Sequence, residues 1–343
     1  MSSSAWRAML LPLAGMILLC VWVYFAVDPG QLTRLSRRST WSIALLAVVS
    51  SFVSYGLISV ALLLIGRTMG IRRVSARIFI LITFLSLTLN HVVSLGVAGY
   101  SARVLLLRRA GEAPGTVLAA SLLHSYLTTL VMVSLLPIGL GAIAFSPHVR
   151  PAGHAALQFA TLVSTIAALG MTVALVSSTL RHGVLRLVGR IGRFLPRHAE
   201  GIAQMLVDLD AGLTTAGRFA KSRPAAALLP VLLTILDWSA VLVAFWLCLE
   251  AVGVDVGPGV LIAGFAIGIN AGVVSLVPGG LGVQEGSQAG VLALFGVPFG
   301  PALLASVLFR VVYFLVPFMV SLPLYFIVLR AMVPVDEAAA TES

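Results

Sequence analysis

The sequence predicts an all-α, polytopic membrane helix bundle with two inverted repeats, each containing a broken, re-entrant helical hairpin. The first observation is composition: the 343 residues are 59% hydrophobic and only 10% charged, whereas soluble domains carry about a quarter charged residues. The second is that long apolar runs alternate with short arginine-bearing loops, the pattern of membrane spans and cytoplasmic loops. The third is that two apolar runs with related sequences are interrupted by polar residues and glycines.

The apolar runs divide the chain into expected spans within one integral membrane domain over residues 1–332. The run at about 8–27 is long for a signal peptide and is expected to be a retained first span. The acidic tail 333–343 is expected to be disordered. The further runs are Trp41–Gly66, 78–107, Thr116–Phe145, Ala155–Ser178, Pro224–Glu250, 258–298 and Pro301–Arg330.

The distribution of basic residues predicts how the spans are oriented. The basic stretch 181–223 is expected to be cytoplasmic, and its segment Val184–Leu195 fits either a helix lying on the inner leaflet or an ordinary loop helix. Counting spans from this stretch makes 78–107 enter and return on the inner face, and 258–298 on the outer face. One loop disagrees, because its arginines fall outside, and the orientation of the first span is left open: Arg34, Arg37 and Arg38.

The two interrupted runs resemble each other in sequence. "NHVVSLGVAG" (Asn90–Gly99) shares Val-Val-Ser-Leu with "NAGVVSLVPGG" (Asn270–Gly280), and Gly111–Ser121 matches Gly296–Ser306 at five positions. The repeat halves are about 78–146 and 258–331. Because many transporters combine inverted repeats with interrupted helices, a binding site is expected where the helices break.

The second break lies in "SLVPGGLGVQEG", and its return arm is too short to cross a membrane. Val283–Val297 has 15 residues and makes about 22 Å of helix, against a hydrocarbon thickness of about 30 Å. Proline ends the incoming helix and glycines permit positive φ. The amides of Leu281 to Gln284 would favour an anion such as a lipid phosphate.

Charged and amide side chains within the apolar runs are the candidate site residues. Glu285 is expected to pair with Arg310, either as a structural pair or to handle substrate. Asp237 either joins this polar interior or pairs with a serine or backbone group. Arg103 either snorkels to the inner surface or contacts a headgroup phosphate. The complete candidate lipid-binding set is Asn90, Arg103, Asp237, Asn270, Pro278, Gly279, Gly280, Gly282, Gln284, Glu285 and Arg310.

Several functional classes lack their sequence signals. The net charge of +10 comes from loop arginines without interleaved exposed aromatics, so nucleic-acid binding is not expected. Cys20 and Cys248 lie in apolar runs and read as packing residues, and neither metal-ligand spacing nor a nucleotide-binding loop occurs. We therefore expect no cofactor, no metal, no catalytic residue and no enzymatic activity. Asn90 and Asn270 are expected to hydrogen-bond across helices.

The stretch "LVPGGLGVQEGSQAGVLALFGVPFGPALLASVLFRVVYFLVPF" (276–318) resembles the C-terminal signature of the lysylphosphatidylglycerol synthase transmembrane-region family. The Pro-Gly-Gly-Leu-Gly, Glu285, Gly-Val-Pro and Arg310 match, as does the aspartate-tryptophan at Asp237. The chain departs from the family in "LGVAGYSARVLLLRR", which has no acid, and in "LLHSYL", which has no Glu-Arg pair. The polar role that the missing acid and the missing Glu-Arg pair would play in the family is either absent from this chain or carried by Arg103 and His124.

The resemblance implies a flippase-like lipid translocator in a bacterial plasma membrane, in a stand-alone form without the soluble synthase domain. Its lipid would be a phospholipid or a polyprenyl-linked or hopanoid-type lipid. The alternative is a non-transporting scaffold or accessory subunit for a lipid, hopanoid or glycolipid synthesis complex, with a synthesis enzyme as its partner. A membrane-embedded lipid transferase is less favoured because no spacing organises Glu285, Asp237 and His124 into a site.

Overall fold

A computed structural model describes residues 38–90, 97–144, 151–179, 182–183, 199–275 and 277–331. Within these ranges the chain consists of helices and turns, with no strand, so the predicted all-α membrane bundle is confirmed. The expected first span, the segment 184–195 and the acidic tail lie outside the described residues. The inverted relation of the two repeats stays a prediction.

The helices follow the apolar runs closely. In chain order they are α1 (Arg38–Thr68), α2 (Ala76–Asn90), α3 (Val97–Arg109), α4 (Pro114–Ala144), α5 (Pro151–Val176), α6 (Ala199–Ser222), α7 (Pro224–Val252), α8 (Pro258–Val274), α9 (Val283–Leu294), α10 (Phe299–Arg310) and α11 (Val316–Ala331).

Five helical segments in the described part of the chain are long and apolar enough to cross a membrane. They are Trp41–Thr68, Pro114–Ala144, His154–Leu175, Pro224–Val252 and Phe299–Ser321. Five of the predicted spans are therefore confirmed as apolar helices of membrane-crossing length, namely Trp41–Gly66, Thr116–Phe145, Ala155–Ser178, Pro224–Glu250 and Pro301–Arg330. Helix α1 packs along α7, where the Ser50 hydroxyl donates to the Ala240 carbonyl at 2.8 Å.

Helices α2 and α3 form the first hairpin. They have 15 and 13 residues, about 22 and 20 Å, so neither crosses the hydrocarbon region alone. The two ends of the hairpin meet: the Arg73 amide donates to Glu112 Oε1 at 2.6 Å, and Arg73 Nη1 donates to the Gly111 carbonyl at 2.9 Å. This segment therefore enters and returns on one side of the bundle, as the loop charges predicted.

One detail of the first hairpin was wrong. The break was expected around Gly96–Gly99, but α3 already begins at Val97 and Gly99 lies within the helix. A methyl group at Gly99 would overlap the Asn90 side chain and the Ser86 carbonyl. The glycine is therefore needed because α2 and α3 approach each other closely, not because the helix is interrupted there.

Helices α8 and α9 form the second hairpin, which a stripe of glycines holds together. Gly264, Gly268 and Gly272 recur every fourth residue along α8, on one face of the helix. They face Leu292, Gln288 and Gln284 of α9, respectively. Small residues at this spacing let two helices in a membrane approach closely and gain van der Waals contact. The sequence from residue 258 to 298 therefore forms the predicted hairpin, interrupted between Val274 and Val283.

Helix α6 occupies part of the stretch that the sequence marked only as polar and basic. It has 24 residues and packs on α4. A methyl group at Gly212 would lie 2.9 Å from the Ala119 carbonyl oxygen, and Leu213 is fully buried. This part of the polar stretch is thus joined to the helix bundle.

A π turn at Val311–Leu315 joins α10 to α11 directly after Arg310. A single π turn inserts one residue into an α-helix and often marks a functional site. Here Tyr313 and Phe314 come from the turn, and both side chains face the interior of the bundle beside the second hairpin. Further along α11, Ser321 meets Thr88 of α2, with their hydroxyl oxygens 3.0 Å apart.

Two apolar cores flank the centre of the bundle. One surrounds Phe79, Ile82 and Leu107 of the first hairpin and its neighbours. The other surrounds Phe245, Phe265 and Phe309, whose rings contact one another at centroid distances of 5.4 to 6.2 Å. The two hairpins are therefore anchored in different cores, and a third cluster packs Ala263 and Val291 of the second hairpin against Leu140 and Ile143 of α4.

Candidate binding cavity

A cavity of about 410 Å³ lies between the two hairpins. The first hairpin contributes Asn90 and Tyr100 to its wall, and the second contributes Gly279, Gly280 and Gln284. The remaining helices complete the wall, and the polar and aromatic residues among them are Tyr55, Ser125, Thr128, Thr129, Asp237, Trp238, Tyr313 and Phe314. The sequence predicted a cavity between two broken hairpins, and the structure brings these residues together there.

The wall formed by the second break depends on glycine. Gly279, Gly280 and Gly282 have φ values of 61°, 64° and 77°, a region that residues with a Cβ rarely occupy. Pro278–Gly280 forms one 3₁₀ turn, closed by the Gly280 amide donating to the Val277 carbonyl at 2.8 Å. The chain turns here without a regular helix, as the sequence predicted.

Glu285 and Arg310 form a buried ion pair, which confirms the predicted partner. Arg310 Nε donates to Glu285 Oε1. The Gly282 amide donates to Glu285 Oε2 at 2.8 Å, so the same carboxylate also caps the start of α9. The Glu285 side chain is 0% exposed and the Arg310 side chain is 3% exposed.

The guanidinium of Arg310 is held on all sides by the protein. Nη1 donates to the Gly279 carbonyl at 2.8 Å, and Nη2 donates to Gln284 Oε1 at 3.2 Å. The Phe314 ring lies against the guanidinium, with its centre 4.7 Å from Cζ, a distance at which cation–π attraction operates. Arg310 does not line the cavity. Together with Glu285, it fixes the shape of the break, and Glu285 and Arg310 act as positioning residues for the cavity wall.

Asp237 lines the cavity and pairs with a serine, one of the two arrangements expected for it. The Ser54 hydroxyl of α1 donates to Asp237 Oδ1 at 2.5 Å. The pair therefore joins two long spans, α1 and α7, at the wall of the cavity. Tyr313 lies close to the same serine, with its hydroxyl oxygen 3.4 Å from Ser54 Oγ.

The two asparagines hydrogen-bond across helices, as predicted. Asn90 Oδ1 accepts the Gly99 amide of α3 at 2.9 Å, which closes the first hairpin. Asn270 Nδ2 donates to the Ala266 carbonyl at 2.8 Å and to the Met132 carbonyl of α4 at 3.4 Å. Asn90 also lines the cavity, whereas Asn270 does not.

Arg103 lies away from the cavity and does not snorkel to the surface. Its side chain is 2% exposed, and Nη1 donates to Ser121 Oγ of α4 at 3.0 Å. Among the described residues, neither its Nε nor Nε2 of the nearby His124 has a hydrogen-bond partner. Of the two alternatives expected for Arg103, exposure at the inner surface is wrong, because packing between α3 and α4 encloses the side chain. Contact with a headgroup phosphate stays a prediction.

Sequence reasoning missed most of the neutral residues of the cavity. Tyr100 donates a hydrogen bond to Ser125 at 2.6 Å, which joins α3 to α4 at the wall. Within the described part of the chain, Thr128 Oγ1, Trp238 Nε1 and Gln284 Nε2 have no hydrogen-bond partner. Apart from the tryptophan beside Asp237, these are single polar residues in separate apolar runs, and nothing in the sequence indicated that they line the same cavity.

The described residues contain no group of three or more acids, histidines and cysteines that could hold a metal ion. Cys248 is a free, fully buried thiol within the apolar core around Phe245, which matches its expected packing role.

The fold and the cavity define a multi-pass membrane protein with two broken helical hairpins. The sequence model of the family described as Lysylphosphatidylglycerol synthase TM region matches residues 9–321 of the chain. The chain therefore belongs to this family, as the signature around Glu285 and Arg310 indicated. A comparison with curated proteins gives no match.

Proposed function

We propose that the protein is a lipid translocator that accepts a polar headgroup in the cavity between its hairpins. The observation that carries the proposal is the cavity itself, which has polar lining from both hairpins and lies among membrane-spanning helices. Polar side chains that face a cavity within the hydrocarbon region are costly unless the cavity serves a solute or a pathway.

The proposed movement is an alternation of access to this cavity. The headgroup leaves one leaflet, enters the cavity and departs to the other leaflet, while the acyl chains stay in lipid. Because the two hairpins are anchored in different apolar cores, we propose that they shift relative to each other and that the contacts between them change. Broken-helix transporters work through this kind of relative motion around a central site.

The cavity supports binding or transport more than chemical conversion. Asp237 is the only acid among the residues that line it, and no lysine, arginine, histidine or cysteine joins it in the described lining. General acid–base or nucleophilic catalysis needs two or more such groups in reach of one another. We therefore expect no enzymatic activity, and we expect membrane lipids as the ligands and a bacterial plasma membrane as the location.

The test is a lipid-scrambling assay with the purified full chain in phospholipid vesicles that contain a headgroup-labelled lipid. A membrane-impermeant reductant bleaches label in the outer leaflet, and translocation makes the inner pool accessible. We expect wild type to expose the inner pool. Thr129→Trp should block this exposure because it fills the cavity wall, and Ile138→Trp serves as the control on the same helix because Ile138 is 54% exposed.

Failure of wild type to move any headgroup-labelled lipid would contradict the proposal. The alternative role, a scaffold for a lipid-synthesis enzyme, would then be favoured if a synthesis enzyme co-purifies with the chain from its native membrane. Equal activity of Thr129→Trp and Ile138→Trp would show that lipid crosses somewhere other than the cavity.

A further inference from the structure

We infer that the headgroup that enters the cavity is uncharged and rich in hydroxyl groups, as a sugar is, and that Asp237 selects it over a phosphate. This inference rests on the proposed function, because it names the class of lipid that the cavity would take.

The charge around the cavity is unfavourable for an anion. Among the described lining residues, Asp237 is the only aspartate or glutamate, and no lysine, arginine or histidine accompanies it. A phosphate would thus face a carboxylate without a cation among the described lining residues. Like charges repel each other, and the repulsion is stronger where less solvent screens them.

The buried cations near the cavity do not remedy this. Arg310 is neutralised by Glu285, and its Nη1 and Nη2 atoms donate to the Gly279 carbonyl and the Gln284 side chain. Arg103 lies between α3 and α4, outside the lining. The amide of Gly282, which would otherwise attract an anion at the start of α9, already donates to Glu285. The break therefore offers an anion less than its sequence suggested.

The neutral groups of the lining suit a polyol. Thr128, Trp238 and Gln284 each line the cavity and carry a buried polar atom without a partner among the described residues. Buried polar atoms in native proteins are almost always hydrogen-bonded, to protein, water or ligand. The three atoms have almost no accessible surface, so a bound headgroup reaches them only when the side chains around them shift. Hydroxyl groups both donate and accept, so a polyol would then satisfy the Trp238 and Gln284 donors and the Thr128 hydroxyl.

Aromatic side chains complete the match. Tyr55, Tyr100, Trp238, Tyr313 and Phe314 line the same cavity. Tyrosine and tryptophan combine a flat apolar face with a polar group at the edge. A sugar ring has the same division, with apolar C–H groups on its faces and hydroxyls around its rim, whereas a phosphate group has no apolar face to pack on an aromatic ring.

In its ionised form Asp237 makes the selection, because a carboxylate only accepts hydrogen bonds. One of its oxygens accepts from Ser54, and an ionised carboxylate has about four acceptor positions in all. Headgroup hydroxyls donate to the remaining positions, and hydrogen bonds to a charged acceptor are about twice as strong as neutral ones. An ionised phosphate diester has no hydrogen to donate, so it gains nothing from Asp237.

The experiment measures lipid retention by the purified full chain in nanodiscs of phosphatidylcholine. The discs contain equal amounts of glucosyl diacylglycerol and phosphatidylmethanol, an anionic phosphate diester without a headgroup hydroxyl, with the same acyl chains. Native mass spectrometry counts the lipid that stays on the released protein. We expect at least about tenfold more glucosyl lipid, since a site that hydrogen-bonds hydroxyls rejects ligands that lack them. Asp237→Asn should reduce that preference about tenfold, and Ser239→Ala, an exposed site on the same helix, should leave it unchanged.

Thr128→Val provides a second variant that preserves size and charge, and it should weaken retention of the glucosyl lipid. Equal or greater retention of phosphatidylmethanol by wild type would overturn the inference and leave the proposed function standing. An unchanged preference in both Asp237→Asn and Thr128→Val would also overturn it. Retention of neither lipid, together with no scrambling in vesicles, would sink the inference and the proposed function together.

Discussion

Tyr100 and Ser125 are joined by a 2.6 Å hydrogen bond that stands 185 residues before the ion pair of Glu285 and Arg310. The difference is the same for both members, because 285 − 100 and 310 − 125 both equal 185. It is also the offset that aligns Gly111 with Gly296. Each hairpin is therefore tied at the same register to the helix that follows it, once by neutral groups and once by charges.

We predict that removing the hydrogen bond between Tyr100 and Ser125 lowers the stability of the protein only slightly. Tyr100→Phe should lower the free energy of unfolding in detergent by about 1 kcal/mol, the usual net value of one neutral hydrogen bond. Thermal unfolding of Tyr100→Phe, Ser125→Ala and the double variant measures the interaction. If the two single effects simply add in the double variant, the two residues do not interact. The first hairpin would then not be held to α4 by this hydrogen bond.

Losing one partner of the Glu285–Arg310 ion pair should lower the stability of the protein far more. Glu285→Gln leaves the Arg310 cation buried without a counter-charge, and we expect a loss of about 3–5 kcal/mol. In Glu285→Gln with Arg310→Met the buried charge is gone, so the double variant should be more stable than Glu285→Gln alone. Thermal unfolding in the same detergent compares them, and a double variant less stable than the single one would contradict the role of the pair.

The glycine stripe of α8 gives a prediction with two opposite signs. Gly268→Ala places a methyl group on Gln288 and 3.1 Å from the Gln284 carbonyl oxygen, so overpacking should cost about 1–3 kcal/mol. Gly290→Ala meets nothing within 4 Å, and its better helix propensity should stabilise α9 by up to about 1 kcal/mol. Melting temperatures should move down and up, respectively. A shift of the same sign in both would mean that the hairpin does not pack through this stripe.

The inverted relation of the hairpins is tested by labelling from each side of the membrane. After replacement of Cys20 and Cys248 by alanine, single cysteines at the exposed positions Ser75 and Ala113 probe the first hairpin, and Asp255 and Pro298 probe the second.

An impermeant maleimide should reach the first two cysteines from one side and the other two from the opposite side. Labelling of all four from a single side would refute the inversion and leave the two hairpins intact. The contact of Arg73 with Gly111 and Glu112 already requires that the first pair be labelled together.

The sequence was sufficient to predict the elements that depend on membrane physics. Span positions follow from apolar length, and the hairpin at 78–107 follows from loop arginines, because both depend on the cost of polar groups in lipid. The Glu285–Arg310 pair was predictable for the same reason, since two opposite charges within apolar runs must find each other.

The neutral contacts were not predictable, because a hydroxyl in a membrane helix can satisfy itself on its own backbone. Ser51 and Ser59 do so, whereas Ser54 on the same helix reaches Asp237. Only the packing of α1 against α7 decides between these outcomes. The enclosure of Arg103 was not predictable for a similar reason, because it depends on how α3 and α4 meet.

Helix α6 was overlooked although its sequence holds a usable signal. Leu206, Leu209 and Leu213 follow one another at intervals of three and four residues, the spacing of one helix face. The charges around these leucines favoured a loop at the membrane surface instead. The packing of Gly212 against Ala119 is seen only in the structure.

The π turn at Val311–Leu315 determines the direction in which the side chains of α11 point. Each α-helical residue advances the side chains by about 100° around the axis, so removing one residue from this turn would swing Ser321 away from Thr88 and redirect Tyr313 or Phe314. A conservative point substitution in this segment is thus a smaller change than a single-codon deletion, which would rephase the closing helix against the first hairpin while preserving its composition.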